Sequence, residues 1–116
     1  MRLTREQARI IRRWGETTQY VSKVRLFGSY ATGRATAQSD IDLAVTIGSD
    51  VDPGTVRGIY FAKGRQWQMK LTRLLARKVH VSLYNDPDTR IVRDSCDKCS
   101  VILFPSNAPV PSTMDR

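Results

Sequence analysis

The sequence predicts a small α/β (α+β) domain in which a mixed β-sheet is flanked by helices. Three observations predict this class: short runs of alternating apolar residues, longer segments with helical apolar spacing, and turn residues between them. The 116 residues correspond to one domain, with enough chain to bury roughly two thirds of its unfolded surface. We expect this domain to span residues 1–104, and we expect residues 105–116, rich in proline and serine, to form a disordered tail.

The N-terminal segment predicts a helix. Thr4 and Gln7 have the spacing of a capping box, and apolar residues follow it with helical spacing. We therefore expect a helix over about residues 4–14, with Gly15 as its stop, followed by a polar connection over residues 16–22.

Two strands are predicted on either side of a Gly-Ser turn. An apolar run over residues 24–27 leads into Gly28 and Ser29, and after ten more residues a second strand carries Asp40 and Asp42. Because side chains alternate along a strand, the two aspartates share one face and the apolar residues of that strand share the other. The apolar set is Ile41, Leu43, Val45 and Ile47.

The middle of the chain predicts a loop and a long helix. Residues 48–54 are dense in turn residues, and within them we interpret Asp50 and Asp52 as acids of the turn and of the helix start. The helix is expected from Thr55 onward, and Gly64 is a point at which it could break. The apolar positions predicted to share one face of this helix are Val56, Tyr60, Trp67, Leu71, Leu74 and Leu75.

The C-terminal third predicts a strand over residues 78–84, a short helix over 89–96 and a last strand over 100–104. Alternation in the first of these strands separates a buried set from a polar set. The buried set is Val79, Val81 and Leu83, and the opposite face carries His80, Ser82 and Tyr84.

The Gly28–Ser29 turn and the Asp40/Asp42 pair together predict a site for a phosphate and a cation. Glycine admits backbone angles closed to other residues and lets a ligand approach the main chain, while the Ser29 hydroxyl and neighbouring amides can hold a phosphate oxygen. Two carboxylates about 5 Å apart repel by roughly 3 kcal/mol at an effective dielectric of about 20, and a bound cation relieves that repulsion. Magnesium takes one or two carboxylates together with substrate phosphates.

The spacing of these four residues resembles the signature of the DNA polymerase beta-like nucleotidyltransferase superfamily. The resemblance is carried by Gly28-Ser29, the ten residues Tyr30–Ser39 and Asp40-Ile41-Asp42. The sequence Ser-Asp-Ile-Asp-Leu-Ala-Val is similar to that of the minimal, MntA-like antitoxin branch. The resemblance implies the polymerase beta-like nucleotidyltransferase fold. It also implies transfer of a nucleoside monophosphate from a nucleoside triphosphate to a hydroxyl, with release of pyrophosphate.

The same resemblance implies a role for each matched residue. Gly28 and Ser29 would bind the triphosphate, and Asp40 and Asp42 would be the catalytic ligands of Mg²⁺, with ATP as the expected substrate. Arg34 lies near enough in sequence to assist with phosphate, although no motif requires it.

His80 departs from the family pattern. Fully equipped members carry a third acid on a later strand, where this sequence has His80. A neutral imidazole is a poor ligand for magnesium. His80 is therefore either a general base toward the acceptor hydroxyl, since imidazole ionises near neutral pH, or a residue at a position that has lost its catalytic role. Both interpretations stay open, and nucleotide binding is better supported than turnover.

The resemblance further implies a protein partner. Minimal members often pair with a helical HEPN-domain protein as toxin and antitoxin, and the nucleotidyltransferase adenylylates a tyrosine of that partner. Two alternatives are a degenerate module that regulates such a partner by contact and a basic nucleic-acid-binding domain, which the net charge of +8 and pI near 10.1 favour. Because the charge is spread along the chain, the nucleic-acid interpretation is the weaker one.

Localisation and cysteine chemistry follow from simpler observations. No apolar stretch approaches the roughly 20 residues that cross a bilayer, and the N-terminus lacks an apolar signal core, so we expect a cytoplasmic protein. Cys96 and Cys99 have Cys-x-x-Cys spacing, but two cysteines and one histidine are too few for a four-ligand zinc site. We expect both to be reduced structural cysteines.

Overall fold

The structure is a computed structural model that describes residues 2–48, 52–86, 91–98 and 100–105. Within these ranges no helix is long and apolar enough to cross a membrane. In chain order the elements are α1 (Arg5–Thr17), β1 (Val21–Phe27), α2 (Ser29–Thr32), β2 (Ile41–Ile47), α3 (Pro53–Leu75), β3 (Val79–Leu83), α4 (Ile91–Lys98) and β4 (Val101–Phe104).

The four strands form one mixed sheet in the order β3-β2-β1-β4. β1 is antiparallel to both β2 and β4, whereas β2 and β3 are parallel. A parallel pair needs a long crossover connection, and α3 supplies it. The predicted mixed sheet with flanking helices is therefore confirmed.

One face of the sheet, which we call the core face, is closed by α1 and α3. The apolar sets predicted for β2 and β3 all point to this face and are no more than 4% exposed. Trp14 of α1 and Trp67 of α3 meet edge to face, with ring centroids 5.9 Å apart, and join the two helices over the sheet. Burial of these side chains is the main stabilising contribution to the fold.

The opposite face, which we call the polar face, carries the candidate site. Phe27, Asp42 and His80 form one row across β1, β2 and β3. The next row is Arg25, Ala44 and Ser82. Helix α4 contacts β1, and its Asp97 accepts a hydrogen bond from the Tyr84 hydroxyl, so α4 covers part of this face.

Two helix starts agree with the sequence analysis. The Thr4 side chain accepts from the Gln7 amide at 3.0 Å, and the Gln7 side chain accepts from the Thr4 amide at 2.9 Å, which is the predicted capping box. Asp52 caps α3 by accepting from the Thr55 amide at 2.9 Å. Asp50 lies outside the described residues.

The prediction that Gly15 stops the first helix is wrong. Helix α1 continues to Thr17 and β1 begins at Val21, so the connection is shorter than the predicted residues 16–22. A Cβ at Gly15 would lie 2.9 Å from the ring of Phe104, which is closer than a real side chain can approach. Gly15 is thus a close-packing position that lets α1 lie against β4.

Helix α3 starts two residues before Thr55 and does not break at Gly64. Gly64 is buried, and a Cβ there would lie 3.0 Å from the Tyr60 ring, so its missing side chain makes room for that ring. Of the six positions predicted to share one face of the helix, Tyr60 is half-buried and Leu74 is 46% exposed. Leu74 lines a shallow cleft between α1 and α3 instead of entering the core.

The C-terminal elements differ from prediction by small shifts. β3 and β4 are shorter than predicted, and α4 ends at Lys98 instead of Cys96. Cys96 is a buried free thiol, whose pKa is raised by that burial, and Cys99 lies outside the described residues. Residues 106–116 also lie outside them, so the disordered tail and the 1–104 domain boundary stay predictions.

Candidate functional site

Asp40 and Asp42 lie at the start of β2. Asp42 is the second residue of the strand, and Asp40 directly precedes its first residue, so the strand carries one aspartate instead of the predicted two. Both side chains are half-buried, while Ile41 between them is fully buried in the core. The apolar neighbours of Asp42 on β2 therefore fix the direction in which its carboxylate leaves the sheet.

Gly28 brings the end of β1 against the Asp42 carboxylate. Phe27 pairs with Asp42 across the β1–β2 ladder, and Gly28 follows with φ +73°, a conformation that favours glycine. A Cβ at Gly28 would overlap Asp42 Oδ2 and would lie 3.2 Å from Asp42 Cγ. Glycine is therefore required here twice, by backbone conformation and by the close approach of the carboxylate.

Ser29 begins a single helical turn that the sequence analysis missed. No element was predicted between Ser29 and the second strand, whereas the structure has the four-residue helix α2. The Ser29 carbonyl accepts hydrogen bonds from Gly33, Arg34 and Thr32, which hold the turn closed. Within the described part of the chain the Ser29 hydroxyl makes no hydrogen bond, so it is free to meet a ligand.

His80 lies where strand alternation predicts it, on the polar face beside the acids. It pairs in register with Asp42, and its Nε2 lies 3.0 Å from Asp40 Oδ2. The side chains of His80 and Asp40 are 47% and 35% exposed, so solvent screens this pair and it contributes little to stability. Asp40, Asp42, His80 and Gly28 thus form one cluster at the edge of the polar face.

The electrostatics of the cluster favour a bound cation. Burial raises the pKa of the Asp42 carboxyl above its ordinary value; nearby His80 lowers it, and the negative charge of Asp40 raises it by a smaller amount. An added positive charge would stabilise the ionised form of Asp42 and relieve its repulsion from Asp40.

The donors fit magnesium only as part of a ternary site. Two aspartates supply hard oxygen ligands, the type that Mg²⁺ prefers, and phosphate oxygens of a nucleotide commonly supply others. Among the described residues, no group of three His, Cys, Asp or Glu side chains could hold a metal ion. The pair therefore suits a cation that arrives together with a phosphate ligand.

Arg77 supports the site from a distance and was missed by the sequence analysis. It follows α3, and its guanidinium donates to the carbonyls of Ala37 at 2.8 Å and Thr36 at 3.2 Å. It also lies 5.9 Å from the centroid of the Tyr30 ring in α2. Arg77 therefore ties the segment that leads into Asp40 to helix α2. No local sequence signal could have revealed a contact between positions so far apart in the chain.

A second group on the polar face was also missed. The Arg25 guanidinium lies 4.4 Å from the centroid of the Tyr84 ring, and the Tyr84 hydroxyl donates to Asp97 at 2.8 Å. Arg25 is two residues from Phe27 on the same strand, so the group lies one row beyond Asp42. Arg34, considered for phosphate binding, has an exposed side chain, and its backbone amide donates to the Ser29 carbonyl.

Comparison with known proteins identifies the family of this fold. Residues 10–108 match the family model described as Polymerase beta, Nucleotidyltransferase. No curated protein matches the sequence significantly.

Solved structures of toxin–antitoxin systems share the fold. A chain of a toxin–antitoxin crystal structure with AMP-PNP superimposes with a TM-score of 0.63 at 21% identity, covering 87% of this chain and 74% of that one. A mutant MntA–HpeT toxin–antitoxin, in which two aspartates with one residue between them are replaced by glutamates, superimposes with a TM-score of 0.62 at 19% identity. The superposition covers 87% of this chain and 74% of that one. A chain of the complex of tri-AMPylated Shewanella oneidensis HEPN toxin with MNT antitoxin superimposes with a TM-score of 0.54 at 19% identity. The superposition covers 84% of this chain and 68% of that one.

The superpositions, with TM-scores of 0.54 to 0.63, show a shared fold, and the family model spans most of the sequence. The match includes the Gly-Ser turn, the aspartate pair and His80. The chain therefore belongs to the polymerase beta nucleotidyltransferase family.

Proposed function

We propose that this protein binds ATP with Mg²⁺ and transfers AMP to a hydroxyl group, releasing pyrophosphate. The observation that carries the proposal is the contact between the Asp42 carboxylate and the backbone of Gly28, with Asp40 beside them. This contact supports a single site for a phosphate chain and a cation. The family membership supports nucleotidyl transfer as the chemistry of that site.

Each residue has a distinct proposed role. The backbone of the Gly28–Ser29 turn and the Ser29 hydroxyl are proposed to hold a phosphate oxygen, while the missing side chain of Gly28 leaves room for the Asp42 carboxylate. Asp40 and Asp42 are the proposed catalytic ligands of Mg²⁺. When bound, the metal supplies neutralisation of the charge that develops on the α-phosphate and the leaving group.

The proposed acceptor is a tyrosine hydroxyl of a HEPN-type partner protein. A solved neighbour is a MNT antitoxin in complex with an AMPylated HEPN toxin, which supports this class of acceptor. The mutated aspartates of the MntA–HpeT neighbour have the same spacing as Asp40 and Asp42. That correspondence supports a functional role for the pair.

Nucleotide binding is tested by thermal unfolding with ATP and Mg²⁺. At a free ligand concentration about 100 times the dissociation constant, binding adds about 2.7 kcal/mol, which raises the Tm of a domain of this size by about 10 °C. We expect this shift in the wild type and its loss in Asp42→Asn. Arg5→Glu, an exposed change on α1, should keep the full shift. Equal shifts in wild type and Asp42→Asn would contradict the proposed metal site.

Transfer itself is tested with α-³²P-labelled ATP. A tagged form of the chain is purified with its bound partners and incubated with the label and Mg²⁺. We expect a labelled band on a partner, sensitive to phosphodiesterase, and none with Asp42→Asn. Label in wild type and Asp42→Asn alike would show that another protein carries out the transfer.

A second candidate function is a nucleotidyltransferase-like module that binds and regulates its partner without turnover. The position of His80 favours it, because His80 occupies the strand position at which a third acid is expected and pairs with Asp40. His80→Asp and His80→Ala separate the two. Activity that His80→Ala abolishes supports a general base, whereas activity that only His80→Asp introduces supports the degenerate module.

A further inference from the structure

The outer edge of the sheet forms a groove that the proposed chemistry does not use. We define the α3–β3 groove as the surface between these two elements, floored by Val79 and Val81 and divided by Gln68. Its two compartments measure about 350 and 400 Å³. Because side chains alternate along β3, the residues of its floor point away from the polar face that carries His80.

The backbone of the groove floor is already hydrogen-bonded. β3 is an edge strand, so its outward-facing amides and carbonyls would be available for a further strand. Side chains of α3 occupy them: Tyr60 donates to the Val81 carbonyl at 2.8 Å, and Gln68 accepts from the Val81 amide at 2.9 Å. Thr72 accepts from the Val79 amide at 3.1 Å. The groove therefore resists pairing with an extended peptide.

Large apolar side chains along the same groove are exposed to solvent. Phe61 and Met69, one in each compartment, are 73% and 58% exposed. They lie on α3 about two helical turns apart, roughly 12 Å. A pair of exposed apolar side chains at this spacing matches the repeat of apolar residues along one face of a second helix.

The described side chains that line the groove include Lys and Arg and no Asp or Glu. Helix α3 has five Lys or Arg residues and no Asp or Glu over its 23 residues. Arg65, Arg73 and Lys78 line the groove, and none of them makes an ion pair with a carboxylate in the described part of the chain. The complementary ligand is therefore acidic as well as apolar.

We propose that the α3–β3 groove docks an amphipathic helix of a partner protein, with apolar residues against Phe61 and Met69 and acidic residues against Arg65, Arg73 and Lys78. The occupied backbone of β3 disfavours a strand, and the exposed Phe61 and Met69 favour a protein over a polynucleotide. The inference stands apart from nucleotidyl transfer, because none of these residues belongs to the Asp40–Asp42 cluster.

A displayed peptide library tests the proposal without knowledge of the natural partner. The library consists of twenty-residue helical peptides with alanine at fixed positions and random residues at all others. The peptides are displayed on yeast and sorted for binding to the purified chain. We expect enriched peptides to combine Asp or Glu with apolar residues spaced three and four apart. Phe61→Ser and Arg65→Glu should each lower the affinity of the chain for the enriched peptides about tenfold. Arg5→Glu, the same charge change on exposed α1, should alter affinity less than about twofold.

Each contrary result overturns the proposal. These results are no enrichment, enrichment of basic or uncharged peptides, or binding unaffected by Phe61→Ser. Affinity for a 20-nucleotide RNA that Arg65→Glu weakens and Phe61→Ser leaves intact would identify a nucleic-acid surface. A dimer that Phe61→Ser dissociates, seen by size-exclusion chromatography, would identify a second copy as the occupant. The ATP–Mg²⁺ thermal shift of the same variants reports separately on the nucleotide site.

Discussion

The two faces of the four-stranded sheet differ in the chemical character of their side chains. Leu43 and Asp42 are adjacent on β2, yet Leu43 is fully buried on the core face and Asp42 stands on the polar face beside His80. The core face is held by dense apolar packing under α1 and α3. The polar face holds neighbouring acids, whose mutual repulsion works against the fold. The difference teaches that residues that stabilise the fold and residues of the candidate site can be direct neighbours in the chain.

The largest expected effect is on the core face. Leu43→Ala removes a fully buried side chain and should lower the free energy of unfolding by about 2–5 kcal/mol, as measured by urea denaturation. Thr46→Val is the control on the polar face of the same strand, and its buried hydroxyl lacks a hydrogen-bond partner. We expect it to change stability by less than about 1 kcal/mol. Similar losses in the two variants would remove the distinction between the faces.

The next effect compares two glycines of positive φ around α2. Gly28 and Gly33 have φ of +73° and +80°, but only a Cβ at Gly28 would meet Asp42. Backbone strain should cost about 1 kcal/mol in Gly33→Ala, and the added overlap should bring Gly28→Ala to about 2–3 kcal/mol. Gly28→Ala should also lose the ATP–Mg²⁺ thermal shift. Equal losses of stability would mean that Asp42 moves aside freely.

Asp42→Asn should stabilise the ligand-free protein by less than about 1 kcal/mol. The folded pKa of Asp42 is raised, mainly by burial, so the folded state binds the proton more tightly than the unfolded state does. Stability from this group is therefore present below its unfolded pKa and is lost as pH rises through the folded pKa. The change in the free energy of unfolding from pH 4 to pH 7, measured by urea denaturation, should be more negative in wild type than in Asp42→Asn. A change in wild type that is equal or more positive would contradict the raised pKa.

The smallest effect concerns Tyr84 at the far end of the polar face. Its pKa is raised, mainly by the hydrogen bond that it donates to Asp97. The stability from this bond is present below the ordinary tyrosine pKa of 10.0 and is lost as pH rises through the higher folded value. Tyr84→Phe should cost less than about 1 kcal/mol at pH 8, and this cost should decrease as pH rises above 10. A cost that does not change with pH would point to packing with Arg25 instead.

Much of the fold and of the candidate cluster could be predicted because the signals are local. The alternation of β2 and β3 determines which side chains are buried, and the same alternation places His80 beside the acids. The roles of Gly28, Ser29, Asp40 and Asp42 in nucleotide and metal binding stay predictions.

What could not be predicted depends on three-dimensional packing or on elements too short to show a pattern. Gly15 looks like a helix stop until Phe104 is seen to pack on it, and Gly64 looks like a break until the Tyr60 ring covers it. Helix α2 has only four residues, too few for any periodicity to appear. The contact of Arg77 with the Thr36 carbonyl depends on the whole crossover between them.

The parallel pairing of β2 with β3 has a consequence for the order of assembly. Phe27, next to Gly28, and Asp42 lie on neighbouring strands connected by residues 28–40, whereas His80 reaches Asp42 only after all of α3 has crossed the sheet. Short-range closure costs less chain entropy, so we expect the β1–β2 ladder to form early and β3 to dock late. Stopped-flow measurements should then find that Leu43→Ala slows folding, whereas Val81→Ala mainly speeds unfolding. The reverse pattern would indicate that the folding nucleus is the β2–α3–β3 crossover instead. A newly synthesised chain would therefore hold its Gly-Ser turn and acid pair together before its histidine arrives.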